Sequence, residues 1–158
     1  MRIKVPGILK RIYPEMVWSI DDPEGLYLTF DDGPTPGVTE WILSTLDRYD
    51  AKATFFVLGK NVELYPDLYR MILERGHKVG NHTYSHQKGW GMSLRRYIED
   101  VDLAADMVHS ELFRPPYANI TINQFRAVAQ RYKVVMWSIL TRDYNRAVSP
   151  KSCLRGAI

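Results

Sequence analysis

Two carboxylates stand side by side at Asp31 and Asp32, after the apolar run Leu26-Tyr-Leu-Thr-Phe30 and directly before Gly33-Pro34. Adjacent like charges at a strand end repel and cost desolvation unless a cation or a proton lies between them. The pair therefore suits a metal, with one carboxylate as ligand and the other left as a base; the same residues also compose an ordinary solvated turn. His82 and His86 follow in Asn81-His-Thr-Tyr-Ser-His86. Their spacing puts both imidazoles on one side of a single helical turn. Two neutral imidazoles, one carboxylate and a position open to water make the ligand set of a catalytic zinc or a similar divalent ion.

Arg114 precedes two prolines. They stiffen the turn and remove two backbone donors, so Tyr117 carries the next free N–H, a plausible oxyanion donor beside a metal. Asp143 could orient Arg114, and Arg114 could hold Asp31 ionised; a surface pair and a loop carboxylate are the plainer readings of these two. His77 reads as packed in the turn after Gly76, and His109 as lying on a helix's outer side.

Alternating strands and helices must position these groups. Leu26–Phe30, Ala53–Leu58, Lys78–Gly80 and Lys133–Leu140 read as strands; Leu112–Arg114 is too short to assign. A helix is expected from Pro36 after a Thr35 cap, with Val38, Trp41, Ile42, Thr45, Leu46 and Tyr49 recurring at its spacing. Others are expected over Pro66–Arg75, with Leu68, Ile72 and Leu73 on the apolar side, and after Ser93, with Leu94, Tyr97, Ile98, Val101, Ala105 and Val108 inward. Thr121 and Gln124 form a capping box for a helix through Tyr132. This βα rhythm indicates an α/β domain with a parallel sheet, and each polar cluster falls at a strand's C-terminal end, where such folds carry function. Residues 1–24 are expected to be irregular and packed on the domain.

The chain has 158 residues, 46% hydrophobic and 25% charged, with net charge +3, as suits one globular domain. Basic residues are scattered, so no nucleic-acid tract is expected. One cysteine, Cys153, excludes an internal disulfide. No window reaches the length of a membrane span, and the start is no secretory signal as written, so a cytoplasmic location is expected.

Thr29-Phe-Asp-Asp-Gly-Pro34, His82-Thr-Tyr-Ser-His86 and Arg114-Pro-Pro-Tyr117 resemble, in order and spacing, the first three motifs of the polysaccharide deacetylase family, the NodB homology domain of carbohydrate esterase family 4. The resemblance runs from about residue 25 onward. It implies a distorted, incomplete (β/α) barrel that removes N- or O-acetyl groups from an acetylated oligo- or polysaccharide with a divalent metal, zinc first, cobalt or nickel next. By position, Asp31 resembles the catalytic base, and Asp32, His82 and His86 the metal ligands. Arg114 resembles the residue bracing the base, the Tyr117 N–H the oxyanion donor, and Asp143 the aspartate of the fourth motif.

Three departures stand out: Tyr144 where tryptophan is usual, Ala118 where glycine is usual, and no histidine after His109 to match a fifth, Leu-x-His motif that supplies the general acid. The expectation is a domain, 25–158, that lacks its C-terminal part, binds metal, and turns over N-acetyl substrates less well than esters. An uncovered sheet edge would favour self-association. A metal- and sugar-binding domain without activity is the alternative. Trp90, Trp137, Tyr84 and Tyr117 are candidates to line a sugar groove.

Overall fold

The computed structural model describes residues 7–157. They divide into two compact units, one of residues 23–134 and one of the two chain ends, up to residue 22 and from residue 135. The N-terminal part, expected to be irregular, contains a short helix, α1 (Gly7–Ile12), with no buried residue. Met16 is buried, and Trp18 Nε1 donates to the Tyr13 carbonyl at 3.1 Å. Residues 1–6, Pro6 among them, lie outside the described residues.

The 23–134 unit is built on five parallel strands in sequence order: β1 (Leu28–Asp31), β2 (Ala53–Val57), β3 (Lys78–Asn81), β4 (Leu112–Phe113) and β5 (Lys133–Val134). Right-handed crossovers between such neighbours keep the helices on one face. The sheet therefore has the order of a barrel wall, not the reversed order of a doubly wound sheet. Phe55, Phe56 and Val57 are all buried, so β2 is covered on both faces and reads as a continuous apolar run. Gly80, paired with Phe56, is required there: a Cβ would lie 2.5 Å from the Phe56 ring.

Helix α2 (Val38–Arg48) starts two residues later than expected, because Gly37 at φ 76° separates it from Pro36 and the Thr35 side chain does not cap it. Its buried residues are Thr39, Leu43 and Leu46, whereas Val38, Trp41 (66% exposed) and Tyr49 face solvent. The sequence carries apolar residues on two adjacent stripes, and packing against the sheet selects the second. Helix α3 (Gly59–Leu64) was not expected; it precedes α4 (Pro66–Glu74), where Ile72 is buried and Leu73 exposed. Helix α5 (Leu94–Ala105) has the expected Ser93 cap and buries Tyr97, Val101 and Ala104, with Leu94 exposed and Val108 buried just past its end. The capping box opens α6 (Ile122–Ala129), which stops before Tyr132.

The strand expected over Lys133–Leu140 is two residues long as β5; within the other unit, Val135 makes a single parallel bridge to Val17. That unit ends in α7 (Pro150–Ala157). Among the described residues, no helix is long and apolar enough to cross a membrane.

Candidate metal centre

Three loops at the C-terminal ends of β1, β3 and β4 build the site. After β1 the backbone turns at Asp32 (φ 71°), which sends Asp31 and Asp32 to different partners. The Asp32 amide donates to the Phe56 carbonyl at 3.1 Å, and Asn61 Nδ2 donates to the Asp32 carbonyl at 2.7 Å. The Asp32 carboxylate then lies 3.3 Å from His82 Nε2 and 3.0 Å from His86 Nε2.

His82 and His86 do not share a helical turn. They are joined by a loop in which Thr83 (φ 65°) and His86 (φ 62°) are left-handed. Side chains replace helical bonds there: Asn81 Oδ1 accepts from the Thr83 amide, and Thr83 Oγ1 from the His86 amide. The Asp100 carboxylate on α5 accepts from Ser85 Oγ at 2.7 Å, fixing the loop from outside. The imidazoles end with centroids 5.1 Å apart.

One donor atom each from Asp32, His82 and His86 falls within a 4.8 Å set. His82 is buried, and its Nδ1 lies 2.6 Å from the Arg114 carbonyl. A carbonyl only accepts, so Nδ1 carries a proton and Nε2 is the ring atom left to ligate, as in carbonyl-oriented metal-ligating histidines. A lone pair facing a carboxylate oxygen is unfavourable without a cation between them. With a proton in place of the cation, hydrogen bonds from His82 and then His86 hold the Asp32 carboxyl well below the usual carboxylate range. The donor set thus fits a divalent ion with an open coordination position.

Asp31 sits apart from this cluster. Arg114, 2% exposed, donates through Nη1 to Asp31 Oδ1 at 2.6 Å and to Thr29 Oγ1 at 2.8 Å. Its guanidinium stacks 4.0 Å from the Phe56 ring centroid, the ring that Gly80 makes room for. Burial lowers the Arg114 pKa while Asp31 opposes that shift. Past Pro115 and Pro116, both buried, Tyr117 (φ 57°) is 60% exposed with its ring 4.5 Å from His86. Ala118 (φ 53°) is also left-handed. Such conformations cost energy outside glycine, and they gather around the triad as expected where backbone geometry serves a site.

The structure therefore brings Asp31, Asp32, His82, His86, Arg114 and Tyr117 together. Asp143 belongs to the chain-end unit, where it accepts from Thr141 Oγ1 at 2.5 Å. His77 is buried between α4 and β3 and accepts from the Ala53 amide through Nδ1. His109 is exposed but follows α5 instead of lying on it. Sequence reasoning missed Thr29, Asn61, Asn81 and Asp100. Asn81 adjoins His82 and could have been found; Asn61 and Asp100 are distant in sequence and carry no local signal. Of the aromatic candidates in this unit, Trp90 and Tyr117 line a cleft with His86, while the Tyr84 hydroxyl is bound to Glu63 at 2.6 Å.

Comparisons with known proteins agree with this geometry. The polysaccharide deacetylase family profile matches residues 20–137. A peptidoglycan-N-acetylglucosamine deacetylase of Bacillus cereus is 37% identical over 124 residues, covering 74% of this chain and 45% of that protein. Chitin deacetylase 1 of Saccharomyces cerevisiae is 39% identical over 124 residues, covering 73% and 40%. The chain thus spans less than half the length of these two curated relatives. A crystal structure of a peptidoglycan N-acetylglucosamine deacetylase bound to a substituted N-oxidanyl-benzamide superposes with TM-score 0.78 at 34% identity, covering 82% of this chain and 64% of that one. A histidine pair and a carboxylate converging beside an arginine-braced aspartate, on a parallel sheet of this order and in a sequence that matches the profile across most of its length, place this chain in the polysaccharide deacetylase family.

Proposed function

We propose that this chain is a metal-dependent carbohydrate deacetylase that hydrolyses N-acetyl groups, and O-acetyl groups where the sugar offers them. The observation that carries the reading is the convergence of Asp32, His82 and His86 with Asp31 held separately by Arg114. Asp32, His82 and His86 would hold zinc, or cobalt or nickel, which when bound lowers the pKa of water and polarises a carbonyl.

Asp31 is the base. It accepts a proton from the attacking water, and the hydrogen bond from Arg114 keeps the carboxylate oriented. The water oxygen forms the new C–O bond; the tetrahedral species then collapses with cleavage of the C–N bond as the proton taken up by Asp31 passes to the departing nitrogen, releasing acetate and the amine. The Tyr117 N–H, on a turn stiffened by Pro115 and Pro116, is the proposed donor to the developing oxyanion. Asp143 is carried as a proposed site residue from its match to the family's fourth motif.

The test is acetate release from N-acetylglucosamine oligomers and an acetyl ester with zinc or cobalt, for this chain and Asp31→Asn. Metal-dependent release that Asp31→Asn lacks supports the reading. Stoichiometric metal binding and sugar affinity with no release from either substrate would replace it with a binding domain.

A further inference from the structure

An open cleft of about 530 Å³ adjoins the triad, lined by His86, Tyr117, Lys60, Lys88, Trp90 and Met92 among others. Its lining holds two ammonium groups and no carboxylate. Neither lysine forms an ion pair among the described residues. Two nearby acids are already engaged, Glu63 by the Tyr84 hydroxyl and Asp100 by Ser85. Lys88 Nζ instead lies over the Tyr117 ring, 5.1 Å from its centroid.

Trp90 is fixed yet open. Its amide donates to Asn119 Oδ1 at 2.6 Å and its indole Nε1 to the Ile120 carbonyl at 3.2 Å, while the residue stays 67% exposed. Buried Gln124 holds the same loop, donating through Nε2 to the carbonyls of Gly89 and Met92. An indole held in place before ligand arrives offers a stacking face with little ordering entropy left to lose. A neutral glycan would satisfy that face but give the two ammonium groups only weak partners, whereas a carboxylate gives charge-assisted hydrogen bonds.

We infer that this cleft is the subsite for the sugar flanking the one that loses its acetyl group, and that Lys60 and Lys88 select a glycan bearing a carboxylate there over a neutral one. The inference rests on the deacetylase reading of the triad. The carboxylate can belong to a lactyl ether on the sugar or to a peptide attached through it.

Binding is measured by calorimetry on zinc-loaded Asp31→Asn protein, and acetate release on the unsubstituted protein. The ligands are a neutral N-acetylglucosamine tetramer, a tetrasaccharide with free lactyl carboxylates, its methylamide, and a form whose only carboxylates lie on an attached peptide. A carboxylate-bearing ligand is expected to bind about tenfold tighter than the neutral and methylamide forms, an advantage that shrinks as salt screens the charges. The two carboxylate sources are distinguished by which ligand shows it. Lys60→Gln with Lys88→Gln should abolish the advantage and weaken tetramer binding far less than it weakens binding of the carboxylate-bearing ligand, whereas Trp90→Ala should weaken all four.

Equal binding of the free-acid and methylamide forms, which needs no variant, would overturn the inference while leaving acetate release to stand. An acidic preference without acetate release from any substrate would instead overturn the deacetylase reading.

Discussion

Arg114 does two separable jobs, and Arg114→Met divides them. Its side chain holds Asp31 and Thr29 through Nη1, while its backbone carbonyl orients His82. The substitution deletes the first and keeps the second. A hydrogen bond to a charged group contributes about 1.5–3 kcal/mol. The Asp31 side chain is 33% exposed, so water replaces part of that bond, and the methionine recovers apolar contact with Phe56. The net loss of stability is expected near 1–2 kcal/mol. Catalysis loses more, because an unheld carboxylate samples orientations in which it cannot reach the water; a misplacement of this kind costs about 10²-fold. Zinc affinity should change by less than about threefold, since His82 keeps its partner and losing such a partner typically costs about 10–100-fold. The assay is a zinc titration by calorimetry beside kcat for acetate release. A variant that loses zinc affinity as steeply as it loses kcat, or that keeps full kcat, refutes the division of labour.

Four further predictions concern other parts of the same unit. Asp32→Ala removes a ligand of the proposed metal and should weaken zinc binding by more than the 10–100-fold typical of losing a supporting contact, read by the same titration. Ala118→Gly relieves a left-handed φ of 53° at some cost in unfolded-chain entropy; a net gain of about 0.5–1 kcal/mol is expected, and an unchanged or lower Tm would contradict it. Gly89→Ala would put a Cβ 2.5 Å from Gln124 Oε1 and 2.6 Å from the Asn119 carbonyl, so the Trp90 loop should shift and oligosaccharide binding fall with zinc binding unchanged. Tyr97 is pushed above its ordinary pKa of 10.0 by burial and then by Asp100, so above about pH 10 the unfolded chain sheds a proton that the folded chain keeps, and stability falls as pH rises. Tyr97→Phe removes that loss and a buried hydroxyl with no protein partner among the described residues; it should be about 1 kcal/mol more stable at pH 7, with the gap widening in urea melts near pH 10.5.

Helix α2 shows where the sequence was ambiguous. Val38, Trp41 and Tyr49 recur at helical spacing as regularly as Thr39, Leu43 and Leu46, and periodicity alone does not say which stripe meets the sheet. Strand β5 shows the opposite error. An apolar, β-branched run from Lys133 predicts a long strand, but pairing partners end it at Val134 and give Val135 one bridge elsewhere. Strand β4 was invisible because two residues carry no period at all; it exists because Phe113 pairs with Asn81 and Val134.

The sequence by itself determined the α/β class, the strand-end position of the clusters at Asp31, His82 and Arg114 (the Asp143 cluster, expected after a strand through Leu140, lies well past the end of β5 at Val134), and the residue types of a metal site, because apolar periodicity and the identities of Asp31, Asp32, His82, His86 and Arg114 are local properties. Tertiary structure decided which carboxylate meets which partner. Asp32 turns to the imidazoles and Asp31 to the arginine because left-handed backbone at Asp32, Thr83 and His86 and the buried stack of Gly80, Phe56 and Arg114 set their directions. Those directions depend on contacts between residues far apart in the chain, and no window of sequence contains both partners.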